Sequence, residues 1–274
     1  MLLDGKKLRD ELLIKYKEEI KNNNLKIKLA IIEVGENEAS KIYIKNKIKY
    51  CSEVGIETKV YNLDNDTNEN ELIDLINKLN NDKNVTGIIL QSPIPTHLDF
   101  DKCSSLIDSN KDVDGFTLTN VYNLYLNKKS ILPCTVKGII KLLEHYNIPI
   151  EGANVVIVGR GNIVGKPLAL ALENRNATVT LCHSKTKNLI NYTKQADILV
   201  AAAGSPNLIK KDMIKKTSVL IDVGVNRIDG KIVGDIDKDV YDIVSYVTPN
   251  PGGVGPMTVA MIIDNLIEMK EGER

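Results

Sequence analysis

No net charge remains when the ionisable residues are counted, because 36 Lys and Arg face 36 Asp and Glu. A chain without an overall field has little to draw it to nucleic acid or to an anionic membrane surface, so neither partner is expected. Histidine is scarce (His97, His145, His183), and the four cysteines (Cys51, Cys103, Cys134, Cys182) are scattered with no Cys-x-x-Cys pair. A zinc centre or a disulfide framework is therefore not expected, and no metal site is assigned. No apolar stretch approaches 18 residues, and the opening MLLDGKKLRDELL is too charged for a secretory signal. The expectation is a soluble, cytoplasmic protein. Internal repeats and low-complexity tracts are absent as well.

What is present is alternation. With 274 residues the chain is long enough for two α/β domains. Leu8, Leu12, Tyr16 and Ile20 form a helical stripe, and KLAIIEV (28–34), ended by Gly35, reads as a buried strand. A second helix comes next over 40–54, with Ile44, Ile48 and Cys51 taken as its core stripe and Gly55 as its C-cap. IETKVYNL alternates like a strand. Asn68 with Glu71 resembles an N-cap pair before Leu72, Leu75, Ile76 and Leu79, and VTGIIL (85–90) is another buried strand. Prolines 93, 95 and 133 and the polar run DSNKDVDG break up the stretch after that strand, and TVKGIIKLLEHYN (135–147) reads as a linking helix. Beyond it NVVIVG, ATVTLC, DILVAAAG and SVLIDVG repeat the strand signal between helical stretches, and RIDGKIVGD holds an Asp-Gly hairpin turn. The fold class expected is α/β with parallel sheets: an N-terminal substrate domain, residues 1–135 completed by a C-terminal helix over 256–274, and a Rossmann-type dinucleotide-binding domain, residues 136–255, with a cleft between them.

The stretch VGRGNIVGKP sits where the first strand of the second half turns into a helix. Gly159, Gly161 and Gly165 give Gly-x-Gly-x-x-x-Gly, one residue longer than the common dinucleotide fingerprint. Glycines there let a pyrophosphate approach backbone N–H groups at a positive helix end, with Pro167 suited to the first turn. Tight strand–helix packing without a ligand is the competing reading of the same glycines. The strand ATVTLC ends in His183-Ser184-Lys185, with no acid to hold a ribose hydroxyl, while Arg160 could meet a 2′-phosphate. NADP is accordingly favoured over NAD.

In the first half, polar groups gather where strands end. Tyr43 and Lys47 are four residues apart on one helix face, read as distinct from the Ile44 stripe, and Gln91 directly follows VTGIIL. Alone, the Tyr–Lys pair would be an ordinary surface pair.

Taken in order, EVGENEASKIYIKNK, LQSPIP, KDVDGF, LPCTVKG, GRGNIVGKP, CHSKT, DVGVN and TPNPGGVGPMTVA resemble the bifunctional methylenetetrahydrofolate dehydrogenase/methenyltetrahydrofolate cyclohydrolase family nearly end to end. The resemblance implies oxidation of 5,10-methylenetetrahydrofolate with NADP and hydrolysis of the methenyl product to 10-formyltetrahydrofolate, in one-carbon metabolism and purine biosynthesis, by a homodimer. It implies that Tyr43 stacks on the folate, that Asp114 accepts hydrogen bonds from the pterin, and that Gln91 holds Lys47. Lys47 would activate the water and relay its proton, since burial beside a cationic substrate favours a neutral amine. Leu90, Ser92 and the segment Pro251, Gly252, Gly253, Val254 and Gly255 would complete the folate site. Thr135, Gly159, Arg160, Gly161, Ile163, Val164, Gly165, His183, Ser184 and Val225 would hold the cofactor.

Two positions depart from the family pattern. Gly161 stands where Ser is common, and Asn250 where Val is common. The first puts cofactor preference in question. Three other readings are a dehydrogenase without the hydrolase, a two-domain oxidoreductase acting on small hydroxy acids, and a catalytically silent nucleotide-binding regulator.

Overall fold

The computed structural model describes residues 1–272 and divides into two compact units, Met1–Arg9 with Thr135–Thr258 and Asp10–Cys134 with the chain from Val259 onward. The divisions fall within helix α1 (Gly5–Asn22), at the start of α6 (Cys134–His145) and within α9 (Val254–Gly272). The last two residues of the C-terminal helix expected over 256–274 lie outside the described residues. The sequence reading groups residues 1–9 with the first half of the chain. They join the other unit because Leu3 N–H donates to Val247 O at 2.9 Å and Lys6 N–H to Gly252 O at 3.0 Å.

The smaller sheet has the order β2–β1–β3, formed by β1 (Lys28–Val34), β2 (Glu57–Leu63) and β3 (Gly87–Leu90), all parallel. The apolar run of β1 lets one strand bury both faces. Ala30, Ile32 and Val34 pack with Leu72, Ile76 and Leu79 of α3 (Glu69–Asn81), and Ile88 and Leu90 join them. Each fully buried Leu or Ile contributes roughly 1.5–3 kcal/mol relative to exposure, so this layer fixes α3 firmly. The Asn68–Glu71 capping box is fully formed. On the other sheet face lies α2 (Glu38–Val54), which begins at Asn37, whose side chain accepts from Ser40 N–H, and ends at Gly55 with φ 91°. Two short helices, α4 (Phe100–Ser105) and α5 (Leu118–Tyr125), complete this unit's irregular return.

The larger sheet is five-stranded and parallel, in the order β10–β7–β6–β4–β5. Its strands are β4 (Asn154–Val158), β5 (Thr178–Cys182), β6 (Ile198–Ala201), β7 (Val219–Asp222) and β10 (Tyr246–Val247). The helices α7 (Gly165–Glu173) and α8 (Leu189–Thr193) join β4 to β5 and β5 to β6. The Asp229-Gly230 turn has both residues at positive φ (49° and 75°) and closes the hairpin of β8 (Asn226–Ile228) and β9 (Lys231–Val233).

DILVAAAG and SVLIDVG are shorter as strands than their apolar runs suggest, and two buried carboxylates explain why. The amides of Ala203, Gly204 and Ser205 donate to Asp235 at 2.7, 2.9 and 2.8 Å, so the chain leaves the ladder after Ala201. Asp222 in turn accepts from the amides of Gly224, Asp235 and Ile236 at 3.2, 2.9 and 3.3 Å. Burial pushes the Asp222 carboxyl up to about 6 from its ordinary 3.8, with the neighbouring Asp235 charge adding to the rise and hydrogen bonds opposing it. Its folded value is raised, so its stabilising effect is complete below about pH 4 and is lost as pH rises through about 6. The free-energy difference between wild type and Asp222→Asn is therefore expected to be larger at pH 4 than at pH 7, by up to about 3 kcal/mol. Denaturant melts at both pH values measure this; an identical difference at each would contradict it.

Candidate active site

In the three-stranded unit the carboxyl ends of the strands meet the N-terminal half of α2. The core-facing stripe of α2 is Ser40, Ile44, Cys51 and Val54, which are 3%, 5%, 0% and 3% exposed. With Lys47 included the spacings are four, three, four and three, so Lys47 falls inside this stripe and Ile48 on its flank. The expected core assignment of Ile48 is thus corrected: it is 37% exposed, and the charged Lys47 holds the inward position instead. Tyr43 lies further round the helix and is 49% exposed.

An amine on a core-facing stripe needs a polar partner. Lys47 Nζ donates to Gln91 Oε1 at 2.9 Å. Gln91 is positioned by its backbone, which extends the β1–β3 ladder through Gln91 N–H to Ile32 O at 2.8 Å, and by its Nε2, which donates to Ser92 O at 2.7 Å. The same Ser92 carbonyl accepts from Ser40 Oγ at 3.4 Å, tying the strand end to the first turn of α2. Leu90, one residue earlier, is buried in the opposite layer.

Asp114 enters from the segment after α4. Residues 111–113 dock beside β3, with Ile88 N–H donating to Lys111 O at 2.7 Å, and Lys111 Nζ is anchored on the carbonyls of Leu79, Asn80 and Asp82. Asp112 is turned inward to accept from Thr117 N–H and Asn120 Nδ2. Gly115 follows at φ 69°, where a Cβ would lie 2.5 Å from Ile131 O, so the turn after Asp114 needs glycine. Desolvation pushes the Asp114 carboxyl up, the charge of Asp112 adds to this, and the Lys47 ammonium pulls it down. Lys47, Gln91 and Asp114 therefore form one electrostatic group. The four cysteines are free and buried, and burial lifts the Cys51 thiol to about 12, so it offers no nucleophile.

In the five-stranded unit the turn after β4 has the geometry of an anion cradle. Gly159 sits at φ 129°, and a Cβ on it would lie 2.0 Å from Ala202 O; a Cβ on Gly165 would lie 2.0 Å from Gly159 O. The first and third glycines are thus fixed by packing. Gly161 has open space around its Cβ position. The N-cap of α7, Val164, makes no side-chain hydrogen bond; Lys166 N–H donates to Gly161 O at 3.1 Å and Pro167 has no N–H, which leaves the Gly165 amide at the helix start without a side-chain acceptor. Val158 pairs with Cys182, so Arg160 and Ser184, each two residues beyond, emerge at the same sheet end, both exposed. His183 and Thr186 close the turn after β5 through His183 N–H to Thr186 Oγ1 at 2.9 Å. Ile163 and Val225 are 53% and 57% exposed apolar side chains. Thr135 Oγ1 lies 3.1 Å from Thr258 Oγ1. Pro251–Gly255 belong to this unit, held by Gly253 N–H to Pro249 O at 2.7 Å, with Gly252 at φ 117°. Asn250 donates to Gly224 O at 2.6 Å, a backbone tie that Val could not make.

Two family models match the chain: the tetrahydrofolate dehydrogenase/cyclohydrolase catalytic domain over residues 3–114, and its NAD(P)-binding domain over residues 133–274. The chain belongs to the tetrahydrofolate dehydrogenase/cyclohydrolase family. A relative from Acholeplasma laidlawii, the bifunctional protein FolD, is 52% identical over 267 residues, covering 97% of this chain and 96% of that protein. The solved bifunctional enzyme FolD from Campylobacter jejuni is 46% identical, with a TM-score of 0.97, over 100% of this chain and 99% of that one. FolD from Trypanosoma brucei, solved with NADP cofactor and an inhibitor, is 31% identical with a TM-score of 0.94, over 100% and 98% of the two chains. Family membership accounts for the two-unit α/β architecture and for the pairing of a folate site with a dinucleotide site in one chain.

Sequence reasoning missed Asp222 and Asp235 as the buried anchors of the family's second domain. Their only sequence signal was a nearby glycine, two residues after Asp222 in DVG and next to Asp235 in VGD.

Proposed function

We propose that this protein oxidises 5,10-methylenetetrahydrofolate to the methenyl compound with NADP and hydrolyses that product to 10-formyltetrahydrofolate. The observation that supports the hydrolase most directly is the inward Lys47 held at 2.9 Å by Gln91. An ammonium or amine on a helix stripe otherwise given to core residues has no packing rationale. It has a chemical one.

NADP supplies a hydride acceptor when bound. The residues that would hold it fit an anion: the Gly159–Gly165 turn, the side-chain-free start of α7, and Arg160 with Ser184 at one sheet end. Oxidation asks little more of the protein than orientation, because the folate nitrogens push the hydride out of the bridging methylene. Tyr43 presents a half-exposed ring for the folate to stack on, and Asp114 a carboxylate for the pterin's paired N–H donors.

Hydrolysis asks for a base. As water attacks the cationic carbon, Lys47 accepts its proton, and Gln91 keeps the amine on the attacking side. The resulting carbinol opens as the C–N bond to the leaving ring nitrogen breaks, that nitrogen gains a proton, and the hydroxyl loses one to become the formyl oxygen. The net change is one water consumed and one proton released.

The finer expectations of a homodimer, a cytoplasmic setting and a supply of formyl groups to purine biosynthesis rest on the family resemblance. Cofactor choice has its own test. Wild type is expected to prefer NADP to NAD, and Gly161→Ser to lower KM for NADP by about 2- to 10-fold, the worth of one added hydrogen bond. Its unfolding midpoint should stay unchanged, since the Cβ position at Gly161 is open. Paired steady-state assays with both cofactors decide this, and a clear NAD preference would overturn the NADP assignment.

A further inference from the structure

Glu33 is the next-to-last residue of β1, in a run that is otherwise apolar after Lys28. Its neighbours Ala30, Ile32 and Val34 point into the cluster with α3, so strand alternation sends Glu33 to the opposite face. That is the face α2 covers. Leu29 is paired with Thr58, whose side chain lies beside the Cys51 thiol of α2. Four residues further along the same face, Glu33 is opposite Asn62 on one side, and on the other the pairing of Ile32 with Leu90 sets it beside Gln91. Adjacent strands are about 4.8 Å apart, so the Glu33 carboxylate takes the next place in the row that holds Gln91, the residue to which Lys47 donates. One of its oxygens, Oε1, is closed off from solvent and has no hydrogen-bond partner. A buried carboxylate oxygen without a donor is unfavourable, and an apolar residue would suit the strand better. The donor type it lacks is the one Lys47 has to offer: an ammonium carries three N–H groups, and Gln91 accepts one.

We propose that Glu33 is a positioning residue for Lys47, the acceptor that engages the ammonium formed during hydrolysis. In that step the water oxygen bonds the cationic carbon, one water O–H bond breaks, and the proton binds the lone pair of Lys47. Positive charge passes from substrate to lysine, and no electron is transferred. Glu33 Oε1 has no partner, and it stands beside Gln91, the residue that holds the Lys47 amine. Asp114 feels the Lys47 charge, but its proposed role on the pterin leaves Glu33 as the acceptor for the ammonium. The inference rests on the reading of Lys47 as proton acceptor.

The test uses the full chain with Glu33→Leu and Glu33→Gln, measuring hydrolysis and oxidation on the same preparation, with Lys47→Met alongside. For Glu33→Leu, kcat of hydrolysis is expected to fall about 10- to 100-fold, the range for a hydrogen bond to a charged group. KM for the methenyl substrate and the rate of oxidation should stay within about twofold. Glu33→Gln keeps an acceptor oxygen and should fall several-fold, and it carries the test if the leucine variant does not fold. An unchanged kcat for hydrolysis, a change confined to KM, or an equal fall in both activities would overturn the proposal. Hydrolysis retained by Lys47→Met would bring down the reading of Lys47 itself. Hydrolysis that depends on Lys47 and is indifferent to Glu33 would overturn this inference alone.

Discussion

Lys47→Met is expected to abolish hydrolysis of the methenyl substrate, by at least about 10² to 10⁴-fold, the usual contribution of a positioned acid or base. The fold should survive, because position 47 lies on the same stripe as Ile44, Cys51 and Val54, and methionine replaces the lysine stem with a similar apolar one. What is lost is the amine at 2.9 Å from Gln91. Oxidation has no comparable need for a base, so it should remain measurable, and its persistence separates chemistry from unfolding. Removing the ammonium also removes the charge that pulls the Asp114 carboxyl down. Folate binding in the variant is therefore expected to weaken as pH falls, sooner than in wild type, because a protonated Asp114 cannot accept two pterin N–H donors. Stopped-flow loss of the methenyl absorbance measures hydrolysis, and production of NADPH measures oxidation. Full retention of hydrolysis would exclude the assigned role.

Much of the architecture was legible because local signals agreed with one another. The capping pair at Asn68 and Glu71, the left-handed stop at Gly55 and the Asp229-Gly230 turn are short-range devices, and each is found where its chemistry demands. The candidate site was legible only in part, because which face of α2 is inward depends on what the helix covers. Periodicity among apolar residues favoured Ile44, Ile48 and Cys51. The true stripe is centred slightly to one side and takes in Lys47, a shift that a count of hydrophobic residues cannot detect when the functional residue is charged. Glu33 was hidden for the converse reason, one acid in a buried strand being read with its apolar neighbours. The strand ends near Asp222 and Asp235 were overextended, since Ala202, Ala203 and Val223 are apolar and the carboxylates that draw the chain out of the sheet lie as far as 32 residues away.

The turn that first suggested a nucleotide is a place where a single methyl group should do large structural harm. Gly159→Ala is expected to destabilise the five-stranded unit by at least about 3 kcal/mol, or to displace the turn and remove NADP binding. Two independent costs coincide there. The backbone is at φ 129°, a conformation that residues with a Cβ rarely adopt, and the new methyl would sit 2.0 Å from the Ala202 carbonyl oxygen and 2.5 Å from its carbon. Neither contact can be relieved by rotating a side chain, because the obstacle is backbone that follows β6 and pairs with the end of β4 through Ala202 N–H to Val158 O at 2.8 Å. Movement of Gly159 would also disturb Gly165, whose own Cβ position is 2.0 Å from Gly159 O, and with it the start of α7. Gly161→Ala is the matched control: the same atom is added two residues on, into open space and outside the left-handed region. Comparison of the two variants by unfolding midpoint and by KM for NADP separates the sterically required glycine from the permissive one. Equal behaviour of the two would mean that the packing of β4 against the Ala202 segment does not set the shape of the cofactor turn.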